Sequence, residues 1–470
     1  MTTVRAWLDA NRPRIRLAVG TAVVTILAMV LTLLSTFALV PELGPAVLGA
    51  MLTLTLARSQ LEKDARGRIE AAVALPVIGL AAAGIGTLLL RAPIVGAVVY
   101  VLGMMLSIWL RRFGAVPRRI GALLVLPFVA LLVTPVPVPQ HPVGPLAGVA
   151  WLVPPVVALV AFAWVTLLQV GARAIRLLPP RQPTWERPDP APRAADAPRV
   201  RVTPTDKLAL QMGISLALAF VIGFVFFGDR WAWIVLTVVV VTIGNAGRAD
   251  VLYKGIQRLG GAAVGTLLAL APAAHLGPPT VGTTAALIAI VFLAVLLREF
   301  AYVWWALFFT LAIALVQAFG GAVGGGGGGF LLGERLEEIL IGSVLALAVA
   351  WLVLPIRSEG TIRRRLGAVL AALQERMAVQ DDATAHDLRG ALADLARASK
   401  PYDAWLRIAR RARRPRAARW IATTRDCVDL GRHGADAEAR KLLGAARRAL
   451  RAPDELQAAL DALRTHLERE

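Results

Sequence analysis

Cysteine occurs once in the 470 residues, at Cys427, which excludes an intrachain disulfide and a cysteine-built zinc site. Lysine is almost as scarce: positions 63, 207, 254, 400 and 441 supply five of the 51 cations, and arginine supplies the rest. That skew points to a bacterium with a GC-rich genome. Histidine is sparse, and His141 and His275 stand alone, so no metal site is expected. The six glycines Gly324–Gly329 lack the strand–turn–helix context and the following Lys-Ser/Thr of a phosphate loop and read as a flexible loop. No nucleophile–base–acid constellation is present, so neither catalysis nor a cofactor is expected. Charge of any kind is thin, at 17% of residues against about 25% in soluble domains.

Apolar residues fill the space. They make up 57% of the chain, and mean hydropathy is +0.65. Leu17 to Val40 is a charge-free run of 24 residues, enough to cross about 30 Å of hydrocarbon as a helix. Arginines before it imitate a secretory leader, but the run is too long and no cleavage site follows, so it reads as a first membrane helix. Twelve spans are expected, about 17–40, 43–57, 70–90, 94–110, 120–134 and 146–170, then 208–227, 231–244, 259–276, 280–297, 300–319 and 338–355. Pro76, Pro127, Pro154 and Pro155 fall inside them, where proline kinks a helix. The fold class is all-α and polytopic.

Loop charge gives the orientation. With the N-terminus inside, the inner segments before the tail hold 24 Lys+Arg and the outer loops hold three: Arg91, Arg230 and Arg335. Such a bias places both termini in the cytoplasm of a multi-pass plasma-membrane protein. Five parts follow: a cytoplasmic segment 1–16, a six-helix repeat 17–171, a Pro/Ala/Arg linker 172–207, a second six-helix repeat 208–356, and a cytoplasmic helical domain 357–470. In that last part Leu366, Val369, Leu370, Leu373 and Met377, and later Leu456, Leu460, Leu463 and Leu467, keep helical spacing, and about five helices are expected. Pro401, Pro415 and Pro453 suit helix starts, and Gly431 and Gly434 suit breaks. Its basic stretch from Arg407 to Arg419 would face the anionic inner leaflet. Without a reading motif, nucleic acid is not an expected partner.

Six spans per half is an even number, so the halves are expected to be parallel repeats. Arg58 and Arg68 recur at Arg248 and Arg258, and glycine-rich helices follow both: Gly79, Gly84 and Gly86, then Gly260, Gly261 and Gly265. The stretch from Trp231-Ala-Trp to Thr237, with Gly244-Asn-Ala-Gly-Arg248, Gln257-Arg-Leu-Gly-Gly261 and Gly265-Thr-Leu-Leu-Ala269, resembles the fusaric-acid-resistance-like (FUSC) family, which includes aromatic acid exporters. Arg335-Leu-Glu-Glu-Ile-Leu-Ile-Gly342 is similar to its closing span. The likeness is good over 208–356 and weak over 17–170, and it extends to aluminium-activated malate transporters. It implies a helical membrane transporter that exports organic anions or aromatic acids between two pseudo-symmetric halves.

Spans are expected to hold almost no ionisable interior residue; Glu42, Asp229, Arg230, Arg298, Glu299 and Glu334–Glu338 are all placed at ends. The candidate pathway residues are the inner cations Arg58, Arg68, Arg248, Lys254 and Arg258, with Trp231, Trp233 and Asn245. Arginine binds carboxylates in bidentate fashion, although inner-loop cations also serve orientation alone. Tryptophans at span ends, Trp304 and Trp305 among them, stack on a solute or anchor at the interface. The expected partners are a small organic anion and the bilayer, with anionic lipid at the basic domain and room for a homo-oligomer. A passive anion channel, and a non-transporting envelope-assembly scaffold working through 357–470, are the alternative functions.

Overall fold

Hydrocarbon offers no partner to backbone N–H and C=O groups, so an apolar run that enters it must satisfy them within itself, as a helix. The computed structural model describes residues 2–133, 147–180, 203–245, 247–275, 280–319, 328–353, 358–408, 415–431 and 436–469. All regular structure among them is helical. They cluster into two units: residues 2–180, 203–243 and 254–353 form the first, and 244–253 with 358–469 form the second.

The first unit is built from α1 (Thr2–Leu39), α2 (Leu43–Ser59), α3 (Ala65–Arg91), α4 (Pro93–Trp109), α5 (Ala115–Val133), α6 (Val153–Ala174), α7 (Pro204–Ile222), α8 (Trp231–Thr242), α9 (Arg248–His275, from Lys254 onward), α10 (Val281–Arg298), α11 (Tyr302–Phe319) and α12 (Gly328–Leu352). Each expected span overlaps one of them. Six stretches among the described residues are long and apolar enough to cross a membrane: Arg12–Leu39, Ala65–Arg91, Pro93–Arg112, Val149–Ala174, Pro204–Phe227 and Val281–Arg298. Large apolar side chains such as Val73, Ile94 and Phe226 stay exposed on these helices, as a lipid-facing surface requires. This is a multi-pass helical membrane protein.

Helix starts follow local chemistry. Asp64 accepts the Gly67 amide at 2.8 Å and caps α3. Thr203 with Asp206, and Thr280 with Thr283, form capping boxes on α7 and α10. Pro154 and Pro155 open α6 instead of kinking it, because the first turn of a helix needs no proline N–H. Pro76 and Pro127 do lie within α3 and α5. The segment expected to precede the first span is itself helical and continuous with α1.

The main correction concerns α12. It starts ten residues before the expected span, so Glu334, Arg335, Glu337 and Glu338 lie within the helix and not at its end or in a loop. The run Glu-Arg-Leu-Glu-Glu-Ile-Leu is made of good helix formers, and its charges find partners described below.

α1 packs on α2, α6 and α10; α7 packs on α8, α12 and α4. α2 meets α6 as α8 meets α12, and α4 meets α5 as α10 meets α11. Shifting the helix number by six carries each of these pairings onto another.

The second unit contains α13 (Ser358–Ala378), α14 (Asp382–Ile408), α15 (Arg416–Leu430), α16 (Ala437–Ala449) and α17 (Pro453–Leu467). Leu366, Val369, Leu370, Leu373 and Met377 enter its core beside Leu456, Leu460, Leu463 and Leu467, around the buried Trp420. Cys427 lies in the same core, where burial pushes its thiol up to about 12. Pro415 and Pro453 stand at helix starts, whereas Pro401 sits inside α14. The linker 181–202, Gly324–Gly327, Gly434, His141 and much of the basic stretch fall outside the described residues.

Glycine decides one helix contact. A Cβ on Gly261 would lie 2.6 Å from the Val303 carbonyl oxygen, and one on Gly265 would collide with that of Leu307, so α9 and α11 meet backbone to backbone. Gly79 lies against Pro155, but Gly84 and Gly260 face open space. Gly265→Val is expected to cost about 1–3 kcal/mol through overpacking. Gly260→Ala should leave the thermal midpoint unchanged or slightly raised. Thermal unfolding of the detergent-purified variants checks the pair, and equal midpoints would refute the contact.

Candidate functional site

The first unit contains an open cavity of about 550 Å³, within the size range of small-molecule sites. Helices far apart in sequence supply its wall: Met51, Leu54, Thr55, Arg58 and Ser59 from α2, Leu126, Val129 and Ala130 from α5, Leu236 and Val240 from α8, Arg258 from α9, Arg298 from α10, and Tyr302, Trp305 and Phe309 from α11. The lining is mostly apolar, contains three arginines, and includes no acidic residue.

Local structure aims these groups. Tyr302, Trp305 and Phe309 follow i, i+3, i+7 spacing and share one face of α11. Trp305 and Phe309 stack with ring centres 5.0 Å apart at 18°. Arg298, the last residue of α10, lies over the Trp305 ring at 4.9 Å from its centre, a cation–π contact that holds the guanidinium against the wall. Arg58, in the last turn of α2, pairs with Glu299 at 3.1 Å. Arg14 of α1 donates to the carbonyl oxygens of Glu299 and Phe300 and lies over the Phe300 ring. The connection from α10 to α11 is thereby tied to both α1 and α2.

Arg258 is 3% exposed. Among the described residues no acceptor reaches its Nε, nor the Nε and Nη2 of Arg298, nor does the buried Tyr302 hydroxyl find a partner. Buried donors are ordinarily satisfied, and a buried cation without a counter-ion is costly. The arrangement therefore has unspent donors and uncompensated positive charge against aromatic and aliphatic walls. That is chemistry for an anion with an apolar body.

The eight residues singled out from sequence are dispersed. Arg58 and Arg258 line the cavity. Arg68 is buried in a structural position: it donates to Gln169 Oε1 at 3.0 Å and to the Thr166 and Gln60 carbonyls, while Gln169 in turn donates to the Ala57 carbonyl at 2.7 Å. It pins α3 to α6 and α2. Lys254 donates to the Ile243 carbonyl at 2.6 Å, at the end of α8. Trp231 packs with Phe220 and Phe224, and Trp233 lies under Arg335. Asn245 and Arg248 belong to the second unit. Arg298 and Tyr302 were not among the eight, because a cation at a span end reads as orientation charge. The shared face of Tyr302, Trp305 and Phe309 was the available signal.

The two arginines expected in matching inner loops lie instead within α3 and α9, which start before the expected spans, and they have opposite roles. Arg68→Ala is expected to cost about 2–4 kcal/mol, since Gln169 loses its donor. Arg258→Ala removes an uncompensated buried charge and should leave the thermal midpoint unchanged or higher. Melting curves of the two variants decide this, and an Arg258→Ala loss as large as that of Arg68→Ala would contradict the assignment.

The family described as Fusaric acid resistance protein-like matches residues 216–349, from within α7 to near the end of α12. No curated protein and no solved structure matches the chain.

Proposed function

We propose that this protein exports organic anions, aromatic acids among them, through a pathway between two six-helix halves. The observation that carries the reading is the cavity, whose wall is shared by α2 and α5 on one side and α8 to α11 on the other and which holds guanidinium groups with unspent donors beside stacked rings. A carboxylate would supply the missing counter-charge in bidentate geometry, and Trp305 and Phe309 would take its apolar body.

Three further observations support the layout. The helix pairings repeat after a shift of six, as expected for parallel repeats with an axis along the membrane normal. Segments 17–171 and 208–356 are then the two repeats, and the matched family covers most of the second. The distribution of loop cations supports a layout with both termini, and with them the bundle 357–470, in the cytoplasm. On that topology Arg58, Arg298 and the start of α11 lie at the inner end, where positive charge draws anions from the cytoplasm. The Arg58–Glu299 pair then stands at the mouth, and an entering carboxylate competes with Glu299 for Arg58.

Reconstituted vesicles loaded with labelled benzoate test the proposal. Efflux should exceed that of protein-free vesicles. Arg258→Ala should weaken apparent affinity by about 10- to 100-fold, the loss of a charge-assisted hydrogen-bonded contact of about 1.5–3 kcal/mol. Unchanged flux and affinity in the double variant Arg258→Ala/Arg298→Ala would sink the proposed pathway. Efflux that only follows the benzoate gradient, whatever the proton gradient, would mark a passive channel through the same cavity.

A further inference from the structure

The halves, α1–α6 and α7–α12, meet where α5 packs on α8 beside the cavity, and along two further seams, α1 on α10 and α4 on α7. These seams hold apolar contacts. Val295 of α10 shares a cluster with Ala22 and Ile26 of α1, and the Tyr100 ring of α4 lies 5.5 Å from that of Phe220 in α7. In hydrocarbon such packing has no hydrophobic drive, because lipid tails are as apolar as the seam.

Each seam is joined by charge at one end. Arg112, just after α4, pairs at 2.8 Å with Asp206 in the first turn of α7. Glu299, just after α10, pairs at 3.1 Å with Arg58 in the last turn of α2, and its carbonyl accepts a hydrogen bond from Arg14 of α1. On the topology proposed above, even-numbered helices end and odd-numbered helices start on the cytoplasmic side, so both pairs stand there. The signs are exchanged between the seams: a cation follows α4, whereas an anion follows α10. A relic of duplication would keep the signs, so the closure itself is what the two seams share.

Contacts inside a half are of another kind. Arg68 is buried and pins α3 to α6 and α2. Arg119 of α5 meets Glu70 of α3 at 3.1 Å, and Arg230 before α8 meets Glu334 and Glu338 of α12. In the pairs between the halves the arginines are 57% and 39% exposed. Exposed ion pairs are weak and screened by salt, so they suit a contact that breaks and re-forms.

We propose that Arg112–Asp206 and Arg58–Glu299 are two latches, one on each seam, which hold the halves together at the cytoplasmic end and release when the cavity exchanges its solute with that side. The inference rests on the pathway reading above. Arg58 lines the cavity, so a carboxylate that enters there competes with Glu299 and opens one latch. Each half, held by its own internal contacts, moves as a body, and the second seam parts with the first. The released charges face water, and their re-pairing narrows the mouth again.

Val129 of α5 lines the cavity and serves as a reporter. In the full-length protein carrying Val129→Cys and Cys427→Ser, the rate of labelling by a bulky water-soluble maleimide reads how often the mouth widens. Arg112→Gln and Glu299→Gln should each raise that rate by about 1.5- to 5-fold, the range of an exposed ion pair, and their effects should multiply. Arg112→Lys, which keeps the charge, should label nearly as slowly as the parent. Salt at about 1 M should bring the parent toward the double variant and leave the double variant unchanged. Arg119→Gln, which breaks a pair inside one half, should not alter the rate. An unchanged rate in the double variant overturns the latches, and so does an equal rise in Arg119→Gln. Should Val129→Cys fail to fold, Val240→Cys on the other half takes its place as reporter. Benzoate efflux from the same preparations separates the two ideas: if labelling responds as stated in a protein that moves no benzoate, the latches stand and the pathway reading falls.

Discussion

A guanidinium set into an apolar wall has to be balanced by something, and at Arg258 the protein itself supplies nothing that reaches its Nε. The surrounding structure is arranged around that deficit. α9 can bring Arg258 to the cavity because Gly261 and Gly265 let it lie directly against the backbone of α11. α11 in turn presents Tyr302, Trp305 and Phe309 on one face, and the end of α10 adds Arg298 over Trp305. In a medium of low dielectric such a charge is worth far more than in water, and the proposed anion would supply the opposite charge.

The contrast between Arg68 and Arg258 shows how environment divides one residue type into two roles. Both are almost fully buried, and each lies on the helix that follows a short one, α3 after α2 and α9 after α8. Arg68, whose Nε is likewise without an acceptor among the described residues, gives Nη1 and Nη2 to Gln169 and to carbonyls of neighbouring segments, so dipoles surround its charge and it acts as a pin. Arg258 meets Leu236, Val240 and Tyr302 across a cavity. Glu338 adds a third case, a buried carboxylate whose neighbour Arg230 also pairs with Glu334.

Much of the architecture was legible in the sequence, because a 20-residue apolar run has one stable form in hydrocarbon and apolar spacing such as Leu366–Leu373 admits one reading. The site was less legible. Arg298 and Glu299 end a span, and charge at a span end reports orientation whatever else it does. Nothing local distinguishes Arg258 from Arg68, since the difference lies in what α6 and α11 bring opposite them. The early start of α12 was hidden for a similar reason. Four charged residues in five looked like a loop, whereas in the helix Glu334 and Glu338 find Arg230 as a partner.

The most direct test locates the anion itself. Crystals of the full-length protein grown with 4-bromobenzoate should show bromine anomalous scattering inside the cavity, with the carboxylate toward Arg258 or Arg298 and the ring beside Trp305 and Phe309. Bromine density found only outside that wall, with the guanidinium groups of Arg258 and Arg298 left facing an apolar space, would contradict the account.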